Sequence, residues 1–317
     1  MKYFENRKKA AKGFTLAELM VAMTITLVLV LLTLLITGTA IDTWKSARTE
    51  IRAASQAKTI LNTLGRDLES LVARVGNNNS QWLIATTNPQ GVGPQGQESP
   101  NFARLTFFTA ASDRYNGNAG SRERLQPDGE NRNADRGGDI STVSYQLDFV
   151  DPVFGNPNQV FSTFVFYRNL VDPNDTYNRQ LVGSQNLEQS FDAIGGQNEL
   201  DDLICENVFE MTVTFVVAYR DSEGNNVTTK IPVMTTGGGQ QSYRSFAING
   251  TGLAPNENSR SEFVGGKITS VELGITVLTD EAIAILKRNP FRNDTESARY
   301  IENNSYRYTR SVTIPQG

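Results

Sequence analysis

Histidine is absent from this 317-residue chain, and cysteine occurs once, as Cys205. The commonest general base and the commonest transition-metal ligand are therefore both missing. A single cysteine excludes an intrachain disulfide, a cysteine-rich zinc site and a Cys/His nucleophile pair. Its setting, "DDLICENVF", reads as a small hydrophobe taken into a core, not as a reactive thiol. There is no nucleophile elbow and no phosphate-binding glycine loop with its lysine; "GGGQQ" at 237–241 has no Lys-Ser/Thr after it. Carboxylate pairs do occur, at Asp148/Asp151, Asp172/Asp175 and Asp201/Asp202, but no partner of another chemistry organises them. No catalytic residue is assigned, and the chain reads as a non-enzyme.

The oxygen-rich stretch "DPNDTYN" is the one metal candidate. Calcium takes six to eight oxygens, and Asp172, Asn174 and Asp175 with nearby carbonyls offer several. The EF-hand spacing is missing, and an Asx-rich turn is the plainer reading, so no cofactor is assigned. Sequons at Asn78, Asn174 and Asn226 are those expected by chance in an Asn-rich chain.

Charge is unevenly spread. Residues 1–13 hold Lys2, Arg7, Lys8, Lys9 and Lys12 against Glu5, a net of +4, so a chain of total charge −4 keeps −8 beyond them. An acidic body argues against nucleic acid as a partner, since that partner needs a basic face.

What is present in quantity is one apolar run. Leu19–Ile41 is 23 residues without a charge, about 35 Å as a helix and long enough for a bilayer core of about 30 Å. The basic leader keeps the N-terminus cytoplasmic and places the rest outside. A secretory signal peptide would have a shorter core of about 7–15 residues and a cleavage site after it. Here "TGTA" at 37–40 runs on into an amphipathic pattern instead. An ordinary signal anchor explains the length and the charge but not Glu18, since an ionisable group beside an apolar span is costly.

The stretch "KGFTLAE" at 12–18 resembles the class III signal of type IV prepilins and type II secretion pseudopilins. That resemblance implies a cut by prepilin peptidase between Gly13 and Phe14, methylation of the new Phe14 amine, and Glu18 as the fifth residue of the mature chain. Gly13 leaves the scissile bond unshielded. Glu18 then acts as an assembly register device, its charge offset by the Phe14 amine of a neighbouring subunit.

Beyond Ile41 an apolar stripe recurs at Ile41, Trp44, Ile51, Ala54, Leu61, Leu64, Leu68, Leu71 and Val75, which predicts an amphipathic helix ending near Gly76. Charged residues, Asp67 among them, are assigned to its other faces. Gly65 and the alanines favour packing on a sheet over a coiled coil. Thr37, Gly38 and Thr39 mark a soft point. Strands are predicted at 103–110, 141–150, 160–169, 207–220, 226–234, 241–248, 267–279 and 305–314, with a turn at 220–226 and a short helix from Thr279. Long polar loops fall at 91–101, 112–138, 171–185 and 235–239.

In the head, "GRDLES", "VSYQLD", "FYRNL", "NVFEMTVTFVVAYRDSEGN" and "KITSVELGITVLTDEA" occur in an order similar to that of minor pseudopilin J and PilW-like minor pilins. Gly/Gln/Asn-rich sequence with Pro232 and Pro255 replaces the Trp and Pro of that pattern.

The expected fold is therefore α+β and pilin-like: a long, partly transmembrane N-terminal helix packed on an antiparallel β-sheet head. The expected division is a leader at 1–13, a transmembrane and assembly helix at 14–41, an amphipathic helix at 42–76 and a periplasmic head at 77–317. The resemblance implies a minor subunit of a pilus-like or secretion filament, held in the bacterial inner membrane before assembly. Its partners would be other pilin-like subunits, prepilin peptidase, the inner-membrane assembly platform and membrane lipid. The rival reading is a surface adhesin or ligand-binding minor pilin, with Arg114, Arg122, Arg124, Arg132 and Arg136 of the 112–138 loop as the place to look.

Overall fold

The computed structural model describes residues 15–73, 81–87, 92–94, 99, 101, 103–110, 140–156, 160–171, 173–181, 186–194, 202–235, 243–256, 263, 265–288, 291 and 293–314. The chain divides into two compact units after Ile51. Helix α1 (Leu16–Glu69) contributes to both.

In the first unit every described residue up to Arg48 is exposed. The sequence between Leu19 and Ile41 still contains hydroxyls, and each threonine there settles its own. Thr26, Thr33 and Thr37 donate to the carbonyls of Ala22, Leu29 and Thr33, each at 2.8 Å. Thr24 donates to Val21 O at 2.8 Å and Thr39 to Leu35 O at 3.0 Å. Such back-bonding removes the cost of a hydroxyl in an apolar medium. The helix continues through Thr37, Gly38 and Thr39.

The second unit, the head, is built on the rest of α1. Its buried face is Ala53, Ala57, Ile60, Leu61, Leu64, Gly65, Asp67 and Leu68. The stripe expected from Ile41 thus begins at Ala53; Ile41, Trp44 and Ile51 are exposed. Three of these eight are alanine or glycine, and Gly65 marks a close approach. A Cβ on Gly65 would lie 2.8 Å from Cζ of Arg310, which donates to Leu61 O at 3.2 Å and to Asn62 Oδ1 at 2.7 Å. The helix ends at Glu69, short of Gly76, because the next residues lie along a strand. Leu71 bridges to Thr109, and Val72 N donates to Phe108 O at 2.9 Å.

The remaining elements are β1 (Gln81–Thr87), β2 (Ala103–Thr109), β3 (Ser141–Val150), β4 (Thr163–Leu170), α2 (Pro173–Asp175, running on as a π-helical turn Thr176–Leu181), α3 (Leu187–Ala193), β5 (Leu203–Glu206), β6 (Val208–Arg220), β7 (Asn226–Val233), β8 (Ser245–Asn249), β9 (Gly252–Pro255), β10 (Lys267–Leu278), α4 (Asp280–Arg288), α5 (Asp294–Asn303) and β11 (Ser305–Thr313). They form two sheets, ordered β5-β4-β3-β2-β1-β8-β9 and β11-β10-β6-β7. Neighbouring strands are antiparallel throughout both sheets. The expected α+β fold, a long helix on an antiparallel head, is the one found, with two sheets where one was expected.

Alternation along the strands sorts the side chains. Leu83, Ala85, Leu105, Phe107, Val143 and Tyr145 of the larger sheet join the α1 face and Met211, Val213, Phe215, Leu273 and Ile275 of the smaller one in a single core. On the other side of the larger sheet, Trp82, Ile84 and Phe108 are covered by Leu187 of α3. A third cluster sits where α4 follows β10. Ala282, Ile283 and Leu286 cover Phe164, Phe209 and Leu278 there. Thr279 caps α4, accepting from Ala282 N at 3.1 Å.

The first of the chain's passages between the sheets takes a single residue. β5 belongs to the larger sheet, β6 to the smaller, and only Asn207 separates them. Asn207 has φ +66°, the left-handed region that asparagine tolerates better than most residues. It is buried and held on several sides: its N–H donates to Phe164 O at 2.6 Å, its carbonyl accepts from Leu278 N at 2.9 Å, and its Oδ1 accepts from Thr163 Oγ1 at 2.8 Å.

Candidate functional site

Gly13 and Phe14 lie outside the described residues, as do Asp172, Asp201, Asn78 and the whole 112–138 loop with its five arginines. Glu18 is described, in the first turn of α1. Its Oε2 accepts from Thr15 N at 2.9 Å and from Thr15 Oγ1 at 3.0 Å, while Glu18 N donates to Thr15 Oγ1 at 3.2 Å. This is a reciprocal capping box, in which two backbone donors that the helix start leaves unpaired are each given an acceptor. The signal was in the sequence as Thr-x-x-Glu ahead of an apolar run, so Thr15 belongs beside Glu18 among the candidate residues. The negative charge also suits the positive end of the helix dipole. The carboxylate is thereby held back over the helix N-terminus.

Behind this cap, α1 is long and apolar enough by length and composition to cross a membrane. Past the uncharged run, Trp44 is exposed with the Arg48 guanidinium 5.6 Å from its ring centroid. An amphipathic aromatic beside a cation is the composition found at membrane–water interfaces.

Of the calcium candidates Asp172, Asn174 and Asp175, only the Asp175 side chain is among those described. Asp175 sits in α2, and its carboxylate pairs with Arg179 one turn on at 3.4 Å. No group of three Cys, Asp or Glu side chains suited to a metal occurs among the described residues. Asp148 and Asp151 are not brought together as a pair for chemistry. The first accepts from Phe149 N at 2.7 Å, and the second, buried, accepts from Val153 N at 2.8 Å. Asn226, the sequon asparagine at the start of β7, is exposed. Cys205 is buried, and burial, assisted by Glu206, pushes its thiol up to about 11. It is the core cysteine expected.

Asp67 was expected on a solvent face and is instead fully buried. It accepts from Tyr145 Oη at 2.5 Å and from Arg168 Nε at 2.8 Å, and Arg168 Nη2 reaches its other oxygen at 3.2 Å. Burial, then the Asp67 charge, drives the Tyr145 phenol well above its ordinary value. A buried charge survives when it is paired and hydrogen-bonded. This triad pins α1 to β3 and β4. The available signal was spacing: Asp67 lies three residues after Leu64 and four before Leu71, on the apolar stripe itself.

The family described as the prokaryotic N-terminal methylation motif matches residues 8–34. No curated protein matches the chain. Among solved structures, a type IV-like pilin from Thermus thermophilus aligns over 83% of this chain and 97% of its own, at 12% identity and a TM-score of 0.28. A superposition that loose carries no argument about the head. The methylation motif therefore spans the end of the basic leader, Glu18 and most of the apolar run.

Proposed function

We propose that the chain is a structural minor subunit of a type IV pilus-like or type II secretion filament. Prepilin peptidase cuts after Gly13, and the new Phe14 amine is methylated. The protein waits in the inner membrane with α1 spanning it and the head outside, and it leaves for the filament through the assembly platform. The observation that carries this reading is the methylation motif at 8–34 running directly into an exposed, uncharged helix whose first turn is capped by Glu18. The minor-subunit assignment rests on the order of motifs in the head sequence and on nothing finer.

Glu18 holds its carboxylate at the helix start, next to the chain position of the Phe14 amine. In a filament an adjacent subunit's Phe14 amine would meet that carboxylate in an apolar surrounding, where a lone charge is costly and an opposite one compensates it. The pairing sets the axial register of one subunit on the next.

The test is mass spectrometry of the N-terminal peptide from the native host. The expected peptide begins at an N-methylated Phe14. An intact Met1 terminus, or a cut after Ala40, would remove the reading.

A further inference from the structure

Outside α1, the large apolar side chains exposed among the described residues are Val153, Phe154, Val160, Phe161 and Tyr177. Four of these five, Val153, Phe154, Val160 and Phe161, belong to the connection between β3 and β4, whose described residues 151–156 and 160–162 form the tip considered below, with fractional exposures of 65, 74, 68 and 64%. A concentration of this kind marks an interaction surface, where scattered single residues would not.

The tip is held in this form. Asp151 is buried and accepts from Val153 N at 2.8 Å and Phe154 N at 3.4 Å. Gly155, at φ +71°, closes the turn by donating to Asp151 O at 2.8 Å. Lys287 Nζ, from the last turn of α4, donates to Val160 O at 3.0 Å. At the base, Phe149 and Phe164 pack with ring centroids 5.0 Å apart against the α4 cluster.

Its place in the head decides the partner. Thr163 and Phe164, where β4 begins, bond to Asn207. The Asn207 side chain donates to Asp280, and Asp280 pairs with Arg52 at 2.6 Å. Arg52 is the first residue of the head after the apolar run. The tip therefore rises from the end of the head at which the chain arrives from the membrane segment. From the interfacial Trp44 to Arg52 is eight residues, about 12 Å of helix. Lys287 and Arg288 close α4 beside the tip, and cations next to an apolar surface suit anionic headgroups.

We propose that the β3–β4 tip is an interfacial membrane anchor. In the unassembled subunit Val153, Phe154, Val160 and Phe161 enter the headgroup region of an anionic bilayer, with Lys287 and Arg288 at its phosphates. The tip is then a membrane contact additional to the α1 span, and entry into a filament must release it. The inference rests on the membrane-anchored reading above.

The test uses the full chain in vesicles of phosphatidylethanolamine and phosphatidylglycerol with brominated acyl chains. Cys205 is buried and its thiol stays protonated near neutral pH, so single probes can be placed by Phe154→Cys and, as a control, Glu223→Cys. Glu223 lies in the turn beyond the far end of β6, a strand of 13 residues and so about 40 Å from Asn207. A nitrobenzoxadiazole probe at position 154 should emit to the blue of the one at 223 and be quenched several-fold more by the bromolipid. Replacing Val153, Val160 and Phe161 by serine should abolish the difference; these side chains are exposed, so the fold should survive. Equal quenching at both positions would overturn the proposal. So would blue emission at 154 without bromolipid quenching, which would assign the tip to a protein partner. Alkaline carbonate extraction separates the two readings: a chain stripped from the vesicles removes the membrane anchor itself, whereas a retained chain with an unquenched 154 probe removes the tip alone.

Discussion

Two residues carry charges whose roles can be separated by substitution. Glu18 serves as a cap in its own helix and, on the proposed function, as a counter-charge for a neighbour. Glutamine keeps the first role, since its side-chain oxygen accepts from Thr15 N as the carboxylate does, and loses the second. Glu18→Gln is therefore expected to be cut and membrane-resident yet depleted from sheared filaments, as judged by comparing processed protein in membrane and filament fractions. Glu18→Ala loses the cap as well, a further cost on the order of 1 kcal/mol to the helix start. Normal incorporation of the glutamine variant would reduce Glu18 to a cap. Asp67 is the opposite case, a charge with a structural duty. Asp67→Ala removes the buried carboxylate that the Arg168 guanidinium and the Tyr145 hydroxyl share, and should cost about 3–5 kcal/mol in urea unfolding. Tyr145→Phe removes one donor while Arg168 still holds Asp67, and should cost about 1 kcal/mol. Equal losses from the two variants would mean that the ion pair contributes nothing beyond the hydroxyl bond.

At the scale of elements, the switch between sheets is the feature that a substitution can isolate. Asn207→Ala puts a residue that disfavours φ +66° at the corner and strips the side-chain bonds to Thr163 and Asp280. A loss of about 1–3 kcal/mol is expected from the backbone alone. Asn207→Gly relieves the backbone but not the lost bonds, so it should fall between the alanine variant and the native chain. A glycine variant as unstable as alanine would place the whole cost in the side chain. Strands with apolar runs and clear turns, such as β3, β6 and β10, were legible because Val, Ile, Phe and Tyr dominate them and polar sequence bounds them. β1 was not. "QWLIATT" is short and buried on both faces between β2 and β8, so alternation gives no signal there. β5 and β9 are four residues each, below the length at which periodicity can be read. α5 was missed for another reason. Its helix is polar and capped by Asn293, and in the sequence such a segment looks like a loop. The pairing of strands into two sheets was not legible at all, since it turns on contacts remote in sequence and on the conformation of Asn207.

For the molecule as a whole, the informative question is where the head begins. The motif at 12–18 and the uncharged run were legible because they are local: a handful of adjacent residues and a length. The start of the packed face was not, because the apolar stripe reads continuously from Ile41 while burial begins at Ala53. Whether an apolar helical residue is buried depends on whether a sheet lies against it, and no pattern within the helix reports that. Truncation tests the boundary. A fragment from residue 42 should be soluble and folded, with helix and strand signals by circular dichroism, because deleting 1–41 takes away the uncharged run. A fragment from residue 52 should have the same urea midpoint within error, since Trp44 and Ile51 are exposed and their removal uncovers no core. A fragment from residue 61 loses Ala53, Ala57 and Ile60, and with them the Gln56 carbonyl that accepts from Cys205 Sγ and the Arg52–Asp280 pair. Loss of one buried isoleucine alone costs about 2–5 kcal/mol, so this fragment should unfold at clearly lower urea or fail to fold. If the midpoint falls already between the fragments that begin at 42 and 52, residues 42–51 stabilise the head and its boundary lies nearer Ile41, where the sequence stripe begins.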